Sequence, residues 1–150
     1  MILKKKGFSL VEVILTLLIL GILSAVILPR FGGQGLLGNF ALKTTSSQIS
    51  SDMRFTRQLA ITNSVNYLIQ FDFAQKEYRI YKETIAPENQ VQDPRKIPTD
   101  VSCSGTGEFT FSPLGSALFS GNGLVLSSGG KQYRITVEPP TGAVVIEKIS

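Results

Sequence analysis

The chain has 150 residues, about the length of one domain, so two independently folded halves are not expected. It holds no His, no Trp and one Cys, and its fifteen Lys plus Arg exceed its eleven Asp plus Glu by a net charge of +4. Without histidine, Ser-His-Asp and Cys-His catalysis and His-ligated zinc, haem or copper sites are excluded. Cys103 alone forms no internal disulfide, CxxC pair or four-cysteine centre, and is read as a buried or loop thiol without chemistry. No enzyme activity, cofactor or metal is expected.

Apolar residues are unevenly spread. From 8 to 28, sixteen of twenty-one residues are apolar and Glu12 is the one charged side chain, whereas 29–150 is about 37% apolar, as in an ordinary soluble domain. As a helix rising about 1.5 Å per residue, 8–28 reaches about 31 Å, enough to cross a hydrocarbon core. Lys4, Lys5 and Lys6 precede it. By the positive-inside rule they predict a cytoplasmic N-terminus and a single pass, with everything after Pro29 outside the cytoplasm. A cleaved secretory signal with its site near Leu23-Ser24-Ala25, or a plain anchor, is the alternative. Glu12 fits both badly, because a carboxylate at the centre of a membrane helix costs roughly 2.5–3.5 kcal/mol and so calls for a partner.

The run Lys4-Lys5-Lys6-Gly7-Phe8-Ser9-Leu10-Val11-Glu12, leading into the apolar helix, resembles the class III signal of type IV pilins and type II secretion pseudopilins. The resemblance implies a leader of residues 1–7 cut after Gly7 by a membrane prepilin peptidase. It further implies a mature chain starting at N-methylated Phe8, with Glu12 as the fifth mature residue, which in that family neutralises the N-terminal amine of a neighbouring subunit. Each position has a physical logic. Glycine at the cut has no Cβ to clash in a peptidase cleft, and pairing a carboxylate with an amine avoids most of the desolvation penalty, so wrong registers are rejected.

Next comes Pro29, which removes a backbone donor. Gly32, Gly33, Gly35 and Gly38 follow, each costing about 1 kcal/mol in a helix. Residues 29–38 are therefore expected to form a hinge or a melted segment; the resemblance agrees, since pilins often carry a proline there. Gly32-Gly33-Gln34-Gly35 lacks the Lys-Ser or Lys-Thr of a phosphate loop.

From 39 to 63 the spacing of Leu42, Ile49, Met53, Phe55, Leu59 and Ala60 predicts an amphipathic helix packed on a sheet. Ser46, Ser50, Arg54 and Arg57 are assigned to its solvated face. Alternation over 65–71 and 78–82, around Ala74-Gln75-Lys76, predicts a hairpin. Residues 83–107, with Pro87, Pro94, Pro98, Gly105 and Gly107, read as a long loop. Further strands are expected at 109–112, 124–127, 133–137 and 143–149. The fold class is thus α+β and pilin-like: a long N-terminal helix on an antiparallel sheet, with 39–150 as a periplasmic globular domain.

Met53-Arg54-Phe55-Thr56-Arg57-Gln58-Leu59-Ala60-Ile61-Thr62-Asn63, Phe111-Ser112-Pro113-Leu114-Gly115, Gly123-Leu124-Val125-Leu126 and Thr141-Gly142-Ala143-Val144-Val145 look like H-type minor pseudopilins and FimT-like minor pilins. The resemblance implies a minor pseudopilin of a type II secretion pseudopilus, or alternatively a minor type IV pilin for priming, adhesion or DNA uptake. The implied partners are prepilin peptidase, other major and minor subunits in a helical filament, the inner-membrane assembly platform, and the membrane before assembly. One cysteine departs from the paired cysteines of major pilins. After Asp100 the acids are only Glu108, Glu138 and Glu147, too few for the calcium loop of major pseudopilins. Ala143 stands where some FimT-like pilins begin a DNA-binding arginine cluster. Lys131, Arg134 and Lys148 read as a solvated surface, so nucleic acid is not an expected partner.

Overall fold

The computed structural model describes residues 9–31, 34–118 and 121–149, excluding the side chains of 27–31 and 34–37. The chain divides into two units, Met1–Gln34 and Gly35–Ser150.

The first unit holds helix α1, Leu10–Phe31. It runs through Pro29, whose missing donor removes one backbone bond from a helix otherwise built of strong apolar formers. Helix α2 follows as Gln34–Asn63, 30 residues long. It starts five residues before the expected 39 and takes Gly35 and Gly38 into the helix. The expected 29–38 break is therefore helical at 29–31 and 34–38, while Gly32 and Gly33 lie outside the described residues. Gly38 lies close to the turn at Ser128-Gly129, where a Cβ would come within 2.7 Å of Ser128 Oγ and require that hydroxyl to turn aside.

In the second unit eight strands follow: β1 Tyr67–Asp72, β2 Glu77–Lys82, β3 Arg95–Lys96, β4 Ser102–Gly105, β5 Glu108–Phe111, β6 Leu124–Ser128, β7 Lys131–Val137 and β8 Val144–Lys148. They form two four-stranded sheets, ordered β3-β2-β1-β5 and β4-β6-β7-β8, with every pairing antiparallel. The expected 83–107 loop contains a 3-10 turn at Pro87–Asn89 and the short strands β3 and β4. These strands lack an alternating pattern because their sequences, Arg-Lys and Ser-Cys-Ser-Gly, contribute backbone pairing rather than core side chains.

The hairpins follow local chemistry. At the β1–β2 turn, Asp72 Oδ1 accepts from the backbone N–H groups of Ala74 and Gln75, both at 3.0 Å, so a side chain stands in for backbone in the tight turn. The β6–β7 turn is Gly129-Gly130 with φ of 57° and 79°, between the paired residues Ser128 and Lys131. That is the two-residue geometry in which glycine avoids a left-handed penalty.

One core joins α2 to both sheets. Leu42, Ile49, Met53 and Ala60 of α2 are fully buried with Ile69, Ile80, Phe109 and Phe111 of one sheet and Leu124, Leu126 and Ile135 of the other. Phe71 packs at 5.2 Å on Tyr78 and edge-on at 6.2 Å against Phe109, measured between ring centroids. Phe55, expected in the stripe, is 46% exposed. Its place is taken by Thr56, fully buried, whose hydroxyl is satisfied by donating to Asp52 O at 2.7 Å. Ser46, expected on the solvated face, is buried with its Oγ donating to Lys43 O at 3.0 Å. Ser50, also expected on the solvated face, is buried with its Oγ unpartnered, so back-bonding satisfies some but not all of the hydroxyls that α2 turns toward the sheets.

Gly142 sits at φ +65°, where a Cβ would fall 1.9 Å from Gly115 O. Gly130, at φ +79°, has open space around it. In urea unfolding of the detergent-solubilised chain, Gly130→Ala is expected to cost about 1 kcal/mol from backbone strain alone, and Gly142→Ala about 2–4 kcal/mol because a clash with backbone adds to the strain. Equal losses would contradict this packing.

Candidate functional site

α1 presents the candidate assembly surface. Every described side chain from 10 to 26 is exposed, including Leu10 at 74% and Val26 at 63%. Glu12 lies in the first turn, where a carboxylate is favoured by the unpaired N–H groups of the helix start. Val13 N–H donates to Ser9 O at 3.2 Å, so the helical bonding already includes the residue ahead of the helix. Leu, Ile and Val cover the whole circumference, so no face is distinguished as inward. Among the described residues no helix is long and apolar enough to cross a membrane. Lys4, Lys5, Lys6, Gly7 and Phe8 lie outside the described residues, and Pro29 is placed in α1 without a described side chain.

The second unit carries a polar cluster that the sequence reading missed. Tyr78 Oη on β2 donates to Asp52 Oδ2 on α2 at 2.5 Å, and Arg95 Nη1 on β3 donates to the same oxygen at 3.0 Å. Asp52 and Tyr78 are both buried. The cluster joins the helix to the edge of the first sheet and explains why a strand as short as β3 holds its place. Burial, then the hydrogen bond to Asp52 and the charge of Asp52, push the Tyr78 hydroxyl well above its usual range, while Arg95 opposes the shift. The signal in the sequence was Asp52 itself, an acid placed beside Met53 on the apolar stripe.

Arg54, assigned to solvent, is exposed, while Arg57, assigned there too, is half-buried against a loop. Arg57 Nε donates to Gly115 O at 2.9 Å, and Arg54 Nη2 reaches Val144 O at 3.4 Å. Together they fasten the far end of α2 to the β5–β6 connection and to the start of β8. Cys103 on β4 is half-buried and free; burial pushes its thiol up to about 11, with Lys76 opposing, so little nucleophilic thiolate forms near neutral pH. Among the described residues no three His, Cys, Asp or Glu side chains are grouped to hold a metal ion.

Comparison with known proteins fits this arrangement. Residues 2–28 match the family model described as the prokaryotic N-terminal methylation motif. No curated protein matches the chain. Among solved structures, the type IV minor pilin FimU of Pseudomonas aeruginosa is similar with a TM-score of 0.57 at 13% identity, over 71% of this chain and 87% of that one. The minor pseudopilin EpsH of the type 2 secretion system of Vibrio cholerae is similar with a TM-score of 0.59 at 12% identity, over 71% of this chain and 96% of that one. A long helix packed on antiparallel sheets thus defines a pilin-like protein. The methylation motif stands ahead of that fold, the combination that the resemblance to type IV pilins and pseudopilins implies.

Below pH 10, the ordinary value for tyrosine, Tyr78 is neutral in both folded and unfolded chains and its bond to Asp52 contributes fully. As pH rises past 10 the unfolded chain ionises first, and that contribution is lost. Tyr78→Phe is expected to lower stability by about 1.5–3 kcal/mol at neutral pH and to flatten the alkaline decline. Unfolding curves at several pH values check it, and an unchanged alkaline limb would count against the cluster.

Proposed function

We propose that the chain is a minor pseudopilin, a structural subunit of the periplasmic pseudopilus of a type II secretion system. The observation that carries this is the methylation motif over 2–28 ahead of a domain that shares its fold with a minor pseudopilin. In this reading residues 1–7, with Lys4, Lys5 and Lys6, form a cytoplasmic leader that prepilin peptidase removes after Gly7. Phe8 becomes the N-methylated terminus. Residues 8–28 then anchor the chain in the inner membrane as a single pass and later pack against other subunits. Residues 29–38, with Pro29, connect that segment to the domain, and 39–150 stand in the periplasm.

Glu12 has the central role. A lone carboxylate among apolar residues is costly in lipid unless a cation meets it, and the methylated amine at Phe8 of a neighbouring subunit supplies one. Pairing then fixes the axial register of the incoming subunit. The assembly platform and companion pilins are the partners, and the chemistry is association rather than catalysis.

The similarity to FimU supports a second reading, a minor type IV pilin that primes or decorates an extracellular fibre. Deleting the gene discriminates between them. Loss of enzyme secretion with normal surface fibres supports the pseudopilin; loss of fibres, motility or DNA uptake with normal secretion supports the pilin.

Glu12→Ala is expected to be cleaved normally and to stay in the membrane, yet to enter sheared filaments at least about tenfold less, as loss of a pairing worth about 1.4 kcal/mol or more would give. Glu12→Asp should recover part of the incorporation. Wild-type incorporation of Glu12→Ala would contradict the register role.

A further inference from the structure

A cleft of about 250 Å³ lies between the start of α2 and β7, lined by Asn39, Phe40, Lys43, Lys131 and Tyr133. The sequence reading gave Lys131 and Lys148 to plain solvent, but the sheet brings them to an aromatic residue. Lys131 and Tyr133 are two apart on β7 and therefore share a face, and Lys148 of β8 stands directly opposite Tyr133. From α2, Lys43 and the ring of Phe40, 68% exposed, complete the patch. Among the described residues none of the three lysines forms an ion pair; the two ion pairs are Arg79–Glu77 and Arg95–Asp52. Asn39 Oδ1 is buried without a hydrogen-bond partner.

An exposed Phe40 ring and the half-buried Tyr133 beside unpaired lysines make the chemistry of a membrane interface, where rings settle at the headgroup level and ammonium groups meet lipid phosphates. Phe40 follows Leu28 by twelve residues, a tether that spans at most about 40 Å even when fully extended. Lipid is therefore present at high effective concentration wherever the apolar segment is inserted. We propose that this patch docks on an anionic phospholipid surface and holds the domain against the membrane before the subunit is taken into a filament. The inference rests on the anchor reading of 8–28. Each lysine near an anionic surface is worth about fivefold in the docked-to-free ratio, so removing the charge of Lys43 and Lys131 together lowers that ratio about 25-fold.

The chain contains no Trp, so Phe40→Trp places a single reporter in the patch. The full chain carrying it, reconstituted in vesicles with brominated phosphatidylcholine as quencher, is compared with and without phosphatidylglycerol. Circular dichroism checks the fold. A second reporter, Leu114→Trp at a 91% exposed site outside the cleft, measures chance proximity. The expected result is strong quenching at 40 with phosphatidylglycerol, weak quenching without it, weak quenching at 114 throughout, and a return to weak quenching at 40 in Lys43→Gln/Lys131→Gln. Equal quenching at 40 in both lipids, no effect of the double substitution, or blue-shifted emission without quenching, the mark of a protein partner, would overturn the proposal. Carbonate extraction of the chain from the vesicles would contradict the anchor alone, because the reporter still reads docking of the added chain.

Discussion

A helix that turns Leu, Ile and Val outward on every side, with no face packed in its own chain, is stable only against lipid or against other helices. The described side chains of α1 from 10 to 26 are all exposed, and in the proposed reading the carboxylate of Glu12 gives that apolar surface a direction and a register. Water is the poorest surrounding for most of its side chains, and lipid is the poorest for Glu12. A second subunit with a cationic terminus suits both. In the proposed reading the same residues serve as anchor and as filament core, because the two surroundings demand the same side chains and differ only in what meets the carboxylate.

The second unit is held by other means. α2 meets two sheets, so its buried stripe is wider than an apolar pattern alone provides, and the added width comes from Thr45, Ser46 and Thr56. Small hydroxyls that donate to their own helix, as those of Ser46 and Thr56 do, let the backbone lie close to the strands. At one side Asp52 receives Tyr78 and Arg95; at the far end Arg57 holds Gly115. Helix, sheet edge and loops are thereby pinned at points where apolar packing would leave them free to slide. The methylation motif stands ahead of this domain, and its neighbours in fold include both a minor pilin and a minor pseudopilin.

Much of this was legible in the residues. The motif matched over 2–28 was visible in its own residues, and Leu42, Ile49, Met53 and Ala60 in their helical spacing. The β1–β2 and β6–β7 hairpins were visible in their turn residues. What escaped were features whose cause is tertiary. β3 and β4 have no pattern of their own and exist because β2 and β6 present unpaired edges. Gly38 read as a helix breaker, yet α2 runs through it close to Ser128. Arg57 read as a solvated charge because nothing in a helix pattern reveals a loop carbonyl that returns from far along the chain. Phe55 read as core because spacing cannot tell the centre of a stripe from its margin.

The central claim is that the apolar helix begins, in the working protein, at a methylated amine on Phe8. Intact-mass and N-terminal fragment spectrometry of the protein purified from membranes tests it directly. The account predicts a chain lacking residues 1–7 and carrying one methyl group on the amine of Phe8. A chain that still starts at Met1, or one cut near Ala25, would contradict it.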